Sequence, residues 1–234
     1  DFDMEGGDDI GVGTVVPTHR IEGMLGFDWA AYTHETRAVD ADMLITGATE
    51  VNAPLNELRD RYDNIEGLSG TQFNDLLRGE DRAEADLRDD GLTGVVDGHV
   101  LTSAGIARID GVAALLPAGA TEFAAGNIIL GGAGSDLIAG RGGNDIIDGD
   151  RRLNVQLEGT LNNGQIKRAN RLHGLKNDVF ANPQRLNPGN IRFIREIFEQ
   201  FAQLIGRRPG TMEVPDGSDP YDSRFFDVPV IHHF

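Results

Sequence analysis

The chain contains no cysteine. That excludes disulfides and thiolate chemistry; it suits a secreted protein held by metal instead of disulfides, and cytosolic proteins also lack cysteine. Aromatic residues are sparse, with a single tryptophan and three tyrosines. Basic side chains are outnumbered, 21 against 38 acidic, for a formal net charge of −17. Nucleic acid and anionic membranes are therefore poor partners, and a cation is the natural one. No run approaches the roughly 18 apolar residues of a membrane span. The sequences H-E-x-x-H and G-x-S-x-G are absent, which excludes a zincin and a hydrolase elbow. The histidines at 19, 34, 99, 173, 232 and 233 are scattered, with only the last two adjacent, so no catalytic residues are assigned and the chain is not expected to be an enzyme. No leader pattern is visible, and the start at Asp1 looks like mid-repeat, so a piece of something longer is expected.

What the chain has is glycine, 31 of 234 residues. In 126–150, GNIILGGAGSDLIAGRGGNDIIDGD, three columns recur every nine residues. Gly131, Gly140 and Gly149 form one, Asn127, Asp136 and Asp145 the second, and Ile129, Ile138 and Ile147 the third. Glycine permits positive φ and hence tight turns. Such turns aim carbonyl oxygens inward, and the aspartate adds a charged oxygen. Calcium takes six to eight hard oxygen ligands of these two kinds. The apolar column is expected to point into a narrow core shared by stacked rungs. The pattern matches the nonapeptide G-G-x-G-x-D-x-U-x of RTX proteins.

Weaker copies precede it. Gly7, Asp9 and Gly13 fit the repeat, with Gly11 in the apolar slot; Gly26 to Trp29 carries Asp28; Gly70 to Gly79 carries Asp75 and Leu77. VDADML (39–44) and Asn64 to Leu68 read as strands, and His34-Glu35-Thr36 as the turn between two strands. Residues 52–62 read as a helix. The signal lapses over about 82–121, an insertion expected to hold a weak helix at 82–89, a strand or hairpin around Asp97-Gly98, and a helix over 103–116 capped by Thr102 or Ser103 and ended by Pro117. After 150 the composition changes. LNVQLEG (153–159) alternates as a strand. The spacing of Ile191, Ile194, Ile197, Phe198, Phe201, Leu204 and Ile205 predicts a long amphipathic helix over 190–205, stopped by Gly206.

EGMLGFDWAAY (22–32), VDADML, LSGTQFNDLLRGEDR, GGAGSDLIAGRGGNDIIDGD followed by LNVQL, and NPGNIRFIREI (187–197) occur in this order. The series resembles the RTX calcium-binding region downstream of the haem peroxidase domain in large secreted bacterial peroxidases, some of which are associated with manganese oxidation. The resemblance covers roughly 1–197. It implies an extracellular location, type I secretion, and neighbouring domains in a larger chain. It also implies a parallel β-roll in which each nine-residue repeat makes half a coil and calcium sits between turns stacked on one side. The 122–127 turn would face the 140–145 turn, and the 131–136 turn the one beginning at Gly149. Asp136, Asp145 and Asp150 would then give carboxylates, and Gly131, Ala133, Gly140 and Gly142 carbonyls; Asn127 offers a neutral oxygen and a weaker or water-assisted site. Asp9, Asp28 and Asp75 are further candidate ligands whose sites need not be filled. Arg152 stands where relatives carry an aromatic, which puts the rung after Asp150 in doubt.

The expected fold is thus mainly β: an interrupted calcium-loaded parallel β-roll over 1–150 with helical insertions, then a C-terminal extension over 151–234 whose helix caps the roll, or docks a neighbouring domain or a second copy. Stacked carboxylates ~5 Å apart cost about 3 kcal/mol at an effective dielectric near 20, so several calcium ions are expected to control folding. Magnesium fits poorly because it keeps its water; manganese remains open. A second reading is a surface adhesion or carbohydrate-binding module that stacks sugars on Phe27, Trp29, Tyr32 and Phe73, although burial is the more usual role of such residues. A third is calcium-triggered self-processing at Asp219-Pro220.

Overall fold

The computed structural model describes residues 2–14, 19–47, 59–88, 98–179, 182 and 185–199. The first 150 residues supply very short strands: β1 (Phe2–Asp3), β2 (Ile10–Val12), β3 (Arg20–Glu22), β4 (Trp29–Ala31), β5 (Asp40–Asp42), β6 (Arg61–Asp63), β7 (Gly67–Ser69), β8 (Leu76–Arg78), β9 (Ile128–Leu130), β10 (Leu137–Ala139) and β11 (Ile146–Asp148). Glycine turns leave room for about three extended residues in each nine. The middle residue of each three-residue strand points inward, because side chains alternate across a strand.

All pairings among these strands are parallel. One sheet has the order β11-β9-β7-β4-β2, a second β1-β3-β6, and a third β10-β8-β5. The register keeps like positions together: Ile147 lies opposite Ile129, Ile129 opposite Leu68, Leu68 opposite Ala30, and Ala30 opposite Gly11. In the regular repeat, β9 and β11 share the five-stranded sheet while β10, between them in sequence, belongs to the third. Strands nine residues apart thus alternate between sheets, and those eighteen apart pair. Ile21, Ala30, Ala41, Tyr62, Leu68, Leu77 and Ile129 from the three sheets form one core, with Ile138 and Ile147 packed against it.

The five-stranded sheet is covered on its outer side too. There Trp29, Ile128 and Leu130 pack on Leu101, Ile109, Val112 and Leu116 from the insertion, on Phe123 just after it, and on Leu153 from the C-terminal region. This double cover explains why β4, β7 and β9 are buried throughout, whereas β5, β6 and β8 bury only their central residue. Phe27, Trp29 and Tyr32 are all buried; they are core, not a sugar-stacking platform.

The insertion is less helical than its pattern suggests. Short α1 (Glu84–Arg88) is followed by α2 (Ser103–Arg108), whose first turn is capped by Thr102 accepting from the Gly105 amide at 3.3 Å. The expected helix over 103–116 breaks after Arg108 and resumes as one 3-10 turn, Val112–Ala114. Gly111 takes φ 84° there, and Asp110 exchanges backbone hydrogen bonds with Arg195 and Ile197. Pairing with a distant strand wins over local helix. The expected helix over 52–62 lies largely outside the described residues, but its end is β6, with Tyr62 opposite Ile21. The expected hairpin around Asp97 also lies mostly outside them.

The largest departure is C-terminal. Residues 191–199 form a strand, β14 (Ile191–Glu199), not the first half of an amphipathic helix. It pairs antiparallel with β12 (Arg151–Thr160), from Arg151 opposite Glu199 to Gly159 opposite Ile191, and β13 (Ile166–Ala169) adds to the other edge. The run IRFIREIFE satisfies both a helical and an alternating pattern. β-Branched and aromatic residues fit the pleated surface better, and β12 supplies a long edge to pair with. Residues 200–205 of the expected helix lie outside the described residues. Arg152 leaves the parallel stack with β12, and its guanidinium lies over the Phe198 ring, 5.6 Å from the centroid.

Candidate metal centre

The parallel register stacks the residue immediately before each strand. Before the five-stranded sheet these are Asp9, Asp28, Glu66, Asn127 and Asp145; before β5, β8 and β10 they are Val39, Asp75 and Asp136. Each row forms a ladder. The amide of Asp9 donates to Asp28 Oδ1, that of Asp28 to Glu66 Oε2, and that of Asn127 to Asp145 Oδ1, each at 2.8 Å. In the other row the amide of Val39 donates to Asp75 Oδ1 and that of Asp75 to Asp136 Oδ1, also at 2.8 Å. One carboxylate oxygen is thereby spent on holding the preceding rung.

The second oxygen points elsewhere. Asp28 Oδ2 and Asp136 Oδ2 are buried without a hydrogen-bond partner. A methyl group placed on Gly131 would lie 2.5 Å from Asp136 Oδ2 and 2.7 Å from the Gly149 carbonyl oxygen. The equivalent point at Gly23 is crowded by Asp28 Oδ2 and the Asn64 carbonyl, and at Gly70 by Asp75 Oδ2 and the Gly131 carbonyl. Glycine is required because the space a side chain would fill holds oxygens converging from two rungs. Gly132 takes φ 102°, which brings its backbone against the Thr71 carbonyl of the neighbouring turn.

These carboxylates are electrostatically uncomfortable. Burial, reinforced by the Glu66 carboxylate, pushes Asp28 up to about 9. Burial also pushes Asp136 up to about 6, with Asp75 and Asp150 adding repulsion, and raises Asp145. An unpartnered buried carboxylate oxygen is costly, and a hard cation is the species that would reverse that cost.

The two turns at 122–127 and 140–145 lie together, with the Asn144 amide donating to the Ala125 carbonyl at 2.6 Å. The 131–136 turn lies between the 70–75 turn and Gly149: the Ala133 amide donates to the Thr71 carbonyl and the Gly131 amide to the Asp148 carbonyl. Gly140 packs against Asp145 Oδ2, its carbonyl meets Gly79, and the Gly142 amide donates to the Glu80 carbonyl. Asp9, at the end of the first row, and Asp150, near enough to repel Asp136, are half-buried. Asp75 differs from its neighbours, since Thr71 donates to it from both its amide and its hydroxyl. Burial still raises Asp75, but both its oxygens have donors, whereas Asp28 Oδ2 and Asp136 Oδ2 have none, which places those two better to hold a cation.

Glu66 occupies the ligand column and the sequence pattern alone did not single it out. The signal was present: Glu66 stands two residues before Leu68, as Asp136 stands two before Ile138. Arg82, Glu80 and Thr71 gave no such signal, because their roles depend on which rungs become neighbours. Among the described residues no three His, Asp or Glu side chains form a group able to hold a metal ion. A calcium cage built partly from backbone carbonyls does not require one. No family model, curated protein or solved structure matches the chain.

Proposed function

We propose that this chain is a calcium-binding module of the RTX type, whose short parallel strands form an interrupted β-roll that orders when several calcium ions bind between its turns. The observation that carries this reading is the pair of buried, unpartnered oxygens, Asp28 Oδ2 and Asp136 Oδ2, each facing a glycine and a carbonyl of the next rung. Asp28, Asp136 and Asp145, with the carbonyls of Asn64 and Gly149 that converge on Asp28 and Asp136, would hold the ions. Calcium would supply positive charge between stacked carboxylates. The residues themselves set the rung spacing through the ladder bonds and keep the oxygens apart from competing donors. The role is binding and folding rather than catalysis, as a structural, secretion-linked part of a larger extracellular protein. The peroxidase-associated context rests on sequence resemblance. The bond Asp219-Pro220 lies outside the described residues.

Circular dichroism followed alongside metal analysis during a calcium titration tests this. Extracellular calcium modules bind at about 10⁻⁴ to 10⁻³ M, so the β signal should build over that range with more than one ion bound per chain. An unchanged spectrum in chelator, with no ion retained at millimolar calcium, rules the reading out.

A further inference from the structure

The ladder before the five-stranded sheet has one discontinuity. Asp9, Asp28 and Glu66 are linked by amide-to-carboxylate bonds, and so are Asn127 and Asp145, but the Glu66 amide donates to the Asp28 carbonyl at 3.0 Å instead of reaching Asn127. This gap is where the insertion enters the sequence. Glu66, Glu80, Arg82, His99 and Asn127 meet there. Glu66 is fully buried. Arg82 places Nη2 2.6 Å from Glu66 Oε1 and Nε 2.6 Å from Glu80 Oε1. Asn127 accepts from the Glu80 amide at 3.0 Å and donates to the Glu66 carbonyl at 3.3 Å. His99 Nδ1 lies 3.3 Å from Glu66 Oε1 on the insertion side.

We infer that the gap between the Glu66 and Asn127 rungs is closed by the chain's own cation, the Arg82 guanidinium, and takes no metal ion. This deepens the calcium reading and rests on it for the neighbouring gaps.

The chemistry is self-consistent. A guanidinium presents five donors in a rigid fork and bridges two carboxylates where a spherical ion would need six to eight oxygens. With a fixed positive charge in place, a carboxylate at 127 has no metal to bind, and a neutral amide serves better because it both donates and accepts. That accounts for Asn127 standing in an aspartate column. It also gives Arg82 a reason to sit at the start of the insertion: where the coil is interrupted, the interrupting segment carries the charge the missing turn would have organised. The gap on the other side of Glu66 is different. There Asp28 Oδ2 has no partner, so the metal-binding and metal-free gaps are adjacent.

The test compares wild type, Glu66→Gln, Arg82→Gln and the double variant by metal analysis at saturating calcium, and by melting in both calcium and chelator. The inference expects Glu66→Gln to keep the wild-type ion count; loss of one ion would make Glu66 a metal ligand and overturn it. Arg82→Gln should lower the melting midpoint by about 5 °C or more, as loss of one partner from a buried pair does. Adding Glu66→Gln should recover most of that drop, since no buried charge is then left bare. A midpoint unmoved by Arg82→Gln, or a drop that the double variant deepens, overturns the inference. If the wild type binds no calcium, the calcium reading fails by itself, and the melting comparison still decides whether Arg82 neutralises this gap.

Discussion

The two halves of the described chain handle buried carboxylates in opposite ways. Residues 1–150 hold 29 acidic and 9 basic side chains, while residues 151–199 hold 4 acidic and 9 basic. In the antiparallel sheet and the short helix beside it, Glu158 and Asp178 each have cations of their own. Glu158 is met by Arg192 Nη2 at 2.5 Å and Arg168 Nε at 2.9 Å, and Asp178 by Lys167 and Arg185. Hydrogen bonds from Arg168 and Arg192 hold Glu158 below its usual range, and the one from Lys167 does the same for Asp178. Among the parallel strands, by contrast, Asp28, Asp136 and Asp145 accept from backbone amides of the neighbouring rung, and burial raises all three. Similar residue types serve both regions. In the C-terminal region, arginine and lysine meet Glu158 and Asp178; among the parallel strands, arginines pair with Asp40, Asp42, Asp63 and Glu66, but among the described residues none pairs with Asp28, Asp136 or Asp145.

The largest expected effect tests that contrast directly. Hydrogen exchange in chelator should collapse protection of the amides of Ile128–Leu130 and Ile146–Asp148, whereas those of β13 should change far less. Equal loss in both regions would remove the distinction. Next, Asp136→Ala and Asp145→Ala should each weaken calcium binding and destabilise the parallel strands well beyond the local turn. At tenfold excess an independent site contributes roughly 1.4 kcal/mol, or about 3–6 °C in melting midpoint. A variant that keeps the wild-type ion count and midpoint contradicts the assignment. Asp75→Asn, already satisfied by Thr71, should leave the ion count unchanged.

The pH response should also differ between the halves. Asp28 and Asp136, raised to about 9 and about 6 in the metal-free chain, bind more protons folded than unfolded. The contribution of these two groups to the metal-free fold is therefore largest in acid and is lost as pH rises from about 4 through those values. Calcium affinity should run the other way, rising with pH and releasing protons on binding; calorimetry in two buffers of different ionisation enthalpy reads this. Glu158 and Asp178 are depressed, so their contribution is present at neutral pH and lost only as pH falls below the ordinary carboxylate range. The smallest effect is Glu158→Gln. Its partners are largely exposed, so a loss of about 1 kcal/mol is expected, and thermal melting should show it to be the same with and without calcium.

Much of the parallel region was legible because its information is local. A nine-residue period sets where the chain turns, which residue points inward and which oxygen is aimed at the next rung, and neighbouring rungs repeat the instruction. Even degenerate copies, such as Gly7 to Gly13 with Gly11 in the core slot, kept that phase. Glu66 was readable by the same spacing, yet glutamate hides in a column written in aspartate.

What the sequence determined by itself, then, is the phase of the repeat, since a fixed spacing of glycine, carboxylate and apolar residue constrains each turn whatever its neighbours are. The tertiary structure decided the partnerships. Ile191–Glu199 carries a periodicity that suits either a helix or a strand, and only the edge of β12 selects the strand. Arg82 is an ordinary charged residue until β7 and β9, some 60 positions apart in the chain, become neighbours and leave a carboxylate in need of a cation. Pairing and neutralisation depend on which distant segments meet, and local spacing holds no record of that.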